Sequence, residues 1–266
     1  MIKVTLSGIN EQLASLSRLE RDQLPFATAL ALTRTAEVVR DDLRAEMQVV
    51  FDRPTPATLN SLFIEPATKQ KLEARVWIND GRMSKWRTQQ IRDEKAQSSK
   101  WREDRTAIRW LTPEVFGGPR NDKGVEALLR RRGVLTQGQY VMPGEKLPLD
   151  QYGNINRGKL TQILSGARLF EQVGFDANAT NSKRSQAKGH GRRFFMMYDA
   201  TRKPFAIAER TGKGRAGLKI VLAFTKRPSY SKRLDWFEIA ERSAEAALPR
   251  EFEKALAHAM ATRRVR

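Results

Sequence analysis

The chain has 266 residues, 40% of them hydrophobic, enough to build a sizeable buried core and too many for wholesale disorder. Its 49 Lys and Arg against 30 Asp and Glu give a net charge of +19, well beyond what solubility requires, so a polyanionic neighbour is implied. With no Cys and only two His, disulfide scaffolds, thiol nucleophiles, Cys zinc sites and most His-based metal or acid–base chemistry are excluded.

Ile2 to Leu6 alternates with polar residues and predicts a short opening strand, after which Asn10 caps a short helix through Leu13, Leu16 and Leu19. Leu24-Pro25 then opens a longer helix, in which Leu32, Ala36, Val39, Leu43, Met47 and Val50 recur at helical spacing. Pro54 and Pro56 end it, because proline lacks the N–H and biases its predecessor toward extended backbone. Leu59 to Glu65 and Leu72 to Ile78 read as a hairpin with one buried face. The polar stretch from Gly81 to Trp110 is helical or mobile, and Thr112-Pro113 and Gly117-Gly118-Pro119 break the chain.

Asn121-Asp122 caps a short helix that Gly133 stops, a long loop-rich passage follows, and Leu160 to Leu164 forms another short helix. Residues 176–193 have the composition of a flexible basic loop. Phe194 to Tyr198, Phe205 to Glu209 and Leu218 to Phe224 then predict a β-meander. Trp236 to Met260 continues as a kinked terminal helix, or two in sequence, interrupted by Pro249. Strands grouped between flanking helices without βαβ alternation give an α+β fold: a mainly antiparallel sheet packed with long N-terminal and C-terminal helices. The expected organisation is a core part in 1–80, a basic loop-rich insertion in 81–175, and a basic loop, meander and helix in 176–266 that complete the core. Met1 to Gly8 lacks the apolar core of a secretory signal, and no apolar run reaches the ~20 residues of a membrane span. A protein made in a reducing cytoplasm, soluble there and with no membrane partner, is therefore expected.

The charge is uneven. Residues 1–80 hold 10 basic and 11 acidic side chains, whereas 81–266 hold 39 and 19. Two stretches supply most of the excess: 81–110 with 9 against 4, and 177–219 with 11 against 2. In the first, Ser84-Lys85-Trp86-Arg87 recurs as Ser99-Lys100-Trp101-Arg102, and Arg109-Trp110 adds a third basic-aromatic step. Indoles with neighbouring cations stack on bases and neutralise phosphates, or else anchor an extension on a neighbouring subunit. In the second, Lys183, Arg184, Lys188, Arg192 and Arg193 suit phosphates without reading sequence, because cations on a flexible backbone offer no fixed geometry to base edges.

Other motifs carry less. Gly212-Lys213-Gly214-Arg215-Ala216-Gly217 spells a dinucleotide motif, but a strand rather than a helix follows, so it reads as a glycine-permitted hairpin turn presenting Lys213 and Arg215. His190 and His258 have no third ligand at matching spacing, so no metal is expected. Asp41, Asp42 and Glu46 alternate with Arg40 and Arg44 in the pattern of an ion-paired helix face, against a nuclease-like carboxylate cluster. No cofactor site and no catalytic constellation emerge.

The order of elements resembles a known family. Leu6-Ser7-Gly8-Ile9, then Leu13, Leu16 and the Ala-rich Pro25-to-Val50 helix, resemble the start of the minor tail protein Z family, the tail completion proteins of tailed bacteriophages. Ile239 to Met260, with Leu248-Pro249-Arg250-Glu251-Phe252 and an Arg-rich finish, resemble its end. Phe51 to Leu62 and Gly153 to Gly158 are similar to stretches of phage tail proteins of like length, while 81–175 has no counterpart in the shorter family members. The resemblance implies a non-enzymatic virion protein of the neck or tail, made in the bacterial host cytoplasm. It also implies a homo-oligomeric ring near the DNA channel, with portal, adaptor, tail terminator or tube proteins as neighbours and genomic DNA bound nonspecifically. The alternative reading is a nonspecific nucleic-acid-binding accessory of packaging or replication, acting outside the particle.

Overall fold

A computed structural model describes residues 2–5, 18–79, 107–169, 183–184, 193–212 and 217–262. The fold is α+β, with antiparallel sheets and long helices near both termini. The chain divides into two compact units, one formed by Met1–Gly118 with Ser231–Arg266 and the other by Pro119–Tyr230.

The first unit is organised by helix α1 (Arg18–Val50). Leu32, Ala36, Val39, Leu43 and Met47 fall on one face at steps of three and four, and all are fully buried. The helix starts earlier than the Leu24-Pro25 opening expected from sequence, and Pro25 lies inside it. A proline there removes one backbone hydrogen bond, about 3 kcal/mol, which the burial of Leu32, Ala36, Val39, Leu43 and Met47 outweighs. The short helix expected from Asn10 falls mostly outside the described residues.

Downstream, Thr55 caps a one-turn helix α2 (Pro56–Leu59), its Oγ1 accepting the Thr58 N–H at 3.2 Å, with Pro56 in the first turn. That turn replaces the first residues of the strand expected from Leu59, and β2 is Leu62–Glu65. Strand β3 (Glu73–Ile78) pairs with β2 in the expected hairpin and on its other edge with β1 (Ile2–Thr5), giving the order β1-β3-β2. Ala74 and Val76 point from β3 into the core.

Helix α3 (Ile108–Phe116) runs through Pro113, where sequence predicts a break. The helix holds because Leu111, Pro113 and Val115 are all buried against the core, and Gly117, at φ +75°, ends it by donating to the Pro113 carbonyl at 2.9 Å. Residues 80–106, which carry most of the basic-aromatic stretch, lie outside the described residues.

The chain returns to this unit as α6 (Trp236–Ala261), one helix despite Pro249, which lies on its exposed side. Helices α1 and α6 are antiparallel: Ala27 and Ala31 meet Ala255 and Ala259 at one end, while Leu43 and Met47 share a cluster with Trp236, Ile239 and Ala240 at the other. All four alanines are completely buried.

In the second unit, β4 (Gly118–Pro119) and β9 (Ser229–Tyr230) pair at the two points where the chain crosses between units. Helix α4 (Gly124–Arg131) begins one residue after the expected Asn121-Asp122 cap: the capping residue is Lys123, whose N–H donates to Glu126 Oε2 at 2.7 Å. Gly133, at φ +69°, ends it as expected. Helix α5 (Arg157–Gly166) is capped by Asn156, whose Oδ1 accepts the Gly158 N–H at 2.9 Å.

The expected meander is present as β6 (Phe194–Tyr198), β7 (Pro204–Arg210) and β8 (Leu218–Lys226). A fourth strand, β5 (Gln139–Pro143), lies where sequence suggests only loop and pairs with β8, so the order is β5-β8-β7-β6. Gly144 lets β5 close on the bulged β8. A Cβ there would stand 1.9 Å from the Ile220 carbonyl oxygen, while the Gly144 N–H donates to the Val221 carbonyl at 3.0 Å. One core joins Leu129, Val141, Ile163, Leu164, Phe194, Ile207 and Leu222. The meander therefore belongs with 119–169, not with the terminal helix as expected, because its buried side chains share one core with those of α4, β5 and α5.

A buried ion pair ties this unit together. Arg120 donates to both carboxylate oxygens of Glu126, at 2.6 and 2.8 Å, and Glu126 also accepts the Lys123 and Val141 N–H groups at 2.7 and 2.9 Å. Tyr140 receives the Arg120 and Arg130 guanidinium groups over its ring, at 4.9 and 5.3 Å. Burial pushes the Glu126 carboxyl up, but its four hydrogen bonds prevail and hold it below the ordinary range. The stability this contributes is present above the unfolded pKa near ~4.3 and is lost as pH falls through the lower folded value. Glu126→Ala is expected to lower the unfolding free energy by about 3–5 kcal/mol in urea titrations followed by circular dichroism. Arg120→Met combined with Glu126→Leu should recover part of that, the two backbone N–H groups remaining unpaired.

Candidate nucleic-acid interface

The positive charge is concentrated in one unit. Residues 119–230 contain 22 basic and 8 acidic side chains, a net of +14, against +5 for the rest of the chain. Part of that charge is held internally, as in the Arg120–Glu126 pair, and part is displayed.

The display is densest at one end of the four-stranded sheet. Antiparallel pairing sets Phe194 of β6 opposite Glu209 of β7, and Glu209 opposite Lys219 of β8, so the start of β6, the end of β7 and the start of β8 lie together. Glu209 is nearly buried and accepts Arg193 Nε at 2.7 Å and Lys159 Nζ, from α5, at 3.2 Å. Both cations also lie over the Phe194 ring, at 5.4 and 5.2 Å. Burial raises the Glu209 carboxyl, and the bonds from Arg193 and Lys159 overcome this and hold it low, so it stays ionised. On the next strand position, Arg210 lies over Phe195 at 5.2 Å, and Lys219 is exposed. Two cations thus hold one carboxylate at this sheet end, and Arg210 and Lys219 add two more exposed cations beside it.

The β7–β8 turn opens from this end. Thr211 donates through N and Oγ1 to the Gly217 carbonyl, at 2.7 and 3.1 Å, and a Cβ on Gly217 would stand 2.5 Å from the Gly212 backbone. Glycine is required by that approach, and a strand, β8, rather than a helix follows the glycines. The cations in this turn, Lys213 and Arg215, lie outside the described residues, as do Lys188 and Arg192 just before β6.

Lys183 and Arg184 are exposed. Trp110 belongs to the first unit, about two-fifths exposed, with its Nε1 donating to Thr58 Oγ1 at 3.3 Å, and Arg109 is its half-buried neighbour on α3. Lys85, Trp86, Arg87, Lys100, Trp101 and Arg102 fall outside the described residues. The residues selected from sequence therefore divide between the two units. Sequence reasoning missed Lys159, Arg210 and Lys219; the last two flank a turn already recognised, whereas Lys159 reaches the site only through the packing of α5.

Among the described residues no group of three or more His, Asp or Glu side chains is placed to hold a metal. Asp41 pairs with Arg40 at 2.8 Å, Asp42 bonds to Ser243, and His258 lies beside the Phe26 ring at 6.3 Å. No protein-family model, no curated protein and no solved structure matches the chain.

Neutralising the shared carboxylate tests the cluster. Glu209→Gln should leave Lys159 and Arg193 repelling each other on Phe194 and cost about 1–3 kcal/mol of stability. Thermal unfolding should show the loss shrinking as added salt screens that repulsion.

Proposed function

We propose that this protein is a non-enzymatic structural component of a tailed bacteriophage particle, a tail completion or neck protein forming a ring near the DNA channel. The basic end of its second unit faces the phosphate backbone. The family reading rests on the sequence resemblance. The observation that carries the DNA-facing role is the net charge of +14 in residues 119–230, with Arg193, Arg210 and Lys219 gathered at one sheet end. Such a surface is suited to backbone contact, because its described cations project from strand ends. In a ring each copy repeats the same weak contact, so retention of DNA needs only modest affinity per protomer and still permits sliding. The exposed cations of this unit would equally serve a DNA-binding accessory acting outside the particle.

Quantitative mass spectrometry of gradient-purified particles separates the two. A low, fixed copy number relative to the major capsid protein is expected; absence from particles, with abundant protein in infected cells, favours the accessory. In solution, DNA affinity should fall steeply with salt. Replacing Lys183, Arg184, Arg210 and Lys219 by Gln should reduce the log–log salt slope by about 0.9 for each phosphate that is no longer neutralised. An unchanged slope removes these residues from the interface.

A further inference from the structure

The face of the first unit formed by α1 and α6 carries an open groove of about 570 Å³ that the DNA-facing role does not use. Its walls differ in sign. The α1 wall contributes Asp42 and Glu46, and the α6 wall contributes Arg242 and Arg250. Glu46 and Arg242 have no hydrogen-bond or ion-pair partner among the described residues, although they line the same groove. Between the charges lie small or medium apolar side chains, including Ala246, which is exposed, and Val49, which is 81% exposed. An apolar strip with unmatched charges of opposite sign on its two sides suits burial against a matching surface better than contact with water.

We infer that the groove is a self-association surface whose occupant is the same groove of a second copy. Charge complementarity selects this occupant. Laid groove to groove, with α1 of one copy over α6 of the other, Asp42 and Glu46 of each copy face Arg242 of its partner. The acidic wall then meets the basic wall twice. Any other register of like walls sets carboxylates against carboxylates. Val49 and Ala246 form the desolvated centre, where small side chains allow two helix pairs to approach closely. Neither the phage reading nor DNA binding is needed for this pairing.

The test is light scattering on the full-length protein after size exclusion, using Glu46→Lys and Arg242→Glu singly and as a mixture. Neither residue has a partner among the described residues, so both variants should keep the wild-type circular dichroism. The wild type is expected at a multiple of the protomer mass. Each single variant should weaken association at least tenfold. An equimolar mixture should restore it, because the lysine introduced into one chain then faces the glutamate introduced into the other. A wild type that stays monomeric at every concentration assigns the groove to a different chain and overturns the proposal. So would variants that retain the wild-type mass, or variants that lose association without rescue on mixing.

Discussion

The close approach of α1 and α6 is the constraint on which the first unit depends. Alanines at 27, 31, 255 and 259 leave no side-chain bulk between the helices, and this brings together segments more than 200 residues apart. The three-stranded sheet rests on the same pair through Ala74 and Val76, which pack with Leu32, Ala36 and Val39. Closing so long a loop has an entropic cost that grows only slowly with length. It is lower in practice when the intervening chain is already folded. Residues 119–230 have their own core, and their ends are paired through β4 and β9, so α6 resumes close to where the chain left the first unit.

The second unit meets a different difficulty, that of holding many cations on a small core. Glu126 and Glu209 answer it in the same way. Each carboxylate is nearly or fully buried, each is held ionised by hydrogen bonds from cations, and each of these cations lies over an aromatic ring. The Arg120–Glu126 pair is fully internal and fixes α4 against β5. The Glu209 cluster is half open, because the Arg193 side chain remains 48% exposed. The same chemistry therefore organises a core at one place and orients a displayed charge at another. Only the second leaves a cation partly exposed to solvent.

Much of this was legible in the sequence where periodicity is long. The 3.6-residue spacing from Leu32 to Met47 and the strand runs from Phe194 to Phe224 fix their elements because each contributes side chains to a buried core. Short elements were less readable. Strand β5 contains Gln139 and Pro143, weak strand formers, and exists because β8 offers it an edge. Helix α3 survives Pro113 because tertiary packing outweighs one missing hydrogen bond. The Thr55-Pro56 start of α2 carried a readable cap signal that strand-like Leu59 and Leu62 masked. For the candidate site, composition located the basic stretches, but only strand register brings Arg193, Arg210 and Lys219 to one place. A residue such as Lys159, donated from a helix packed against the sheet, leaves no sequence signal of that role.

The uneven charge also bears on how copies of this chain can gather at all. A net charge of +19 repels other copies, and the cost is greatest where positive surface is brought into contact. The groove of α1 and α6 belongs to the unit that carries only +5, and its walls alternate in sign, so pairing there places attraction at the contact without using the cations of the +14 unit. Bound polyanion would then act in the same direction as the groove, since phosphates neutralise the charge that opposes assembly. Linkage makes the relation reciprocal: whatever free energy DNA contributes to association, association contributes to DNA binding. Such a protein would be weakly associated and weakly DNA-bound when dilute, and both tendencies would strengthen together wherever copies and phosphate backbone are concentrated in one place.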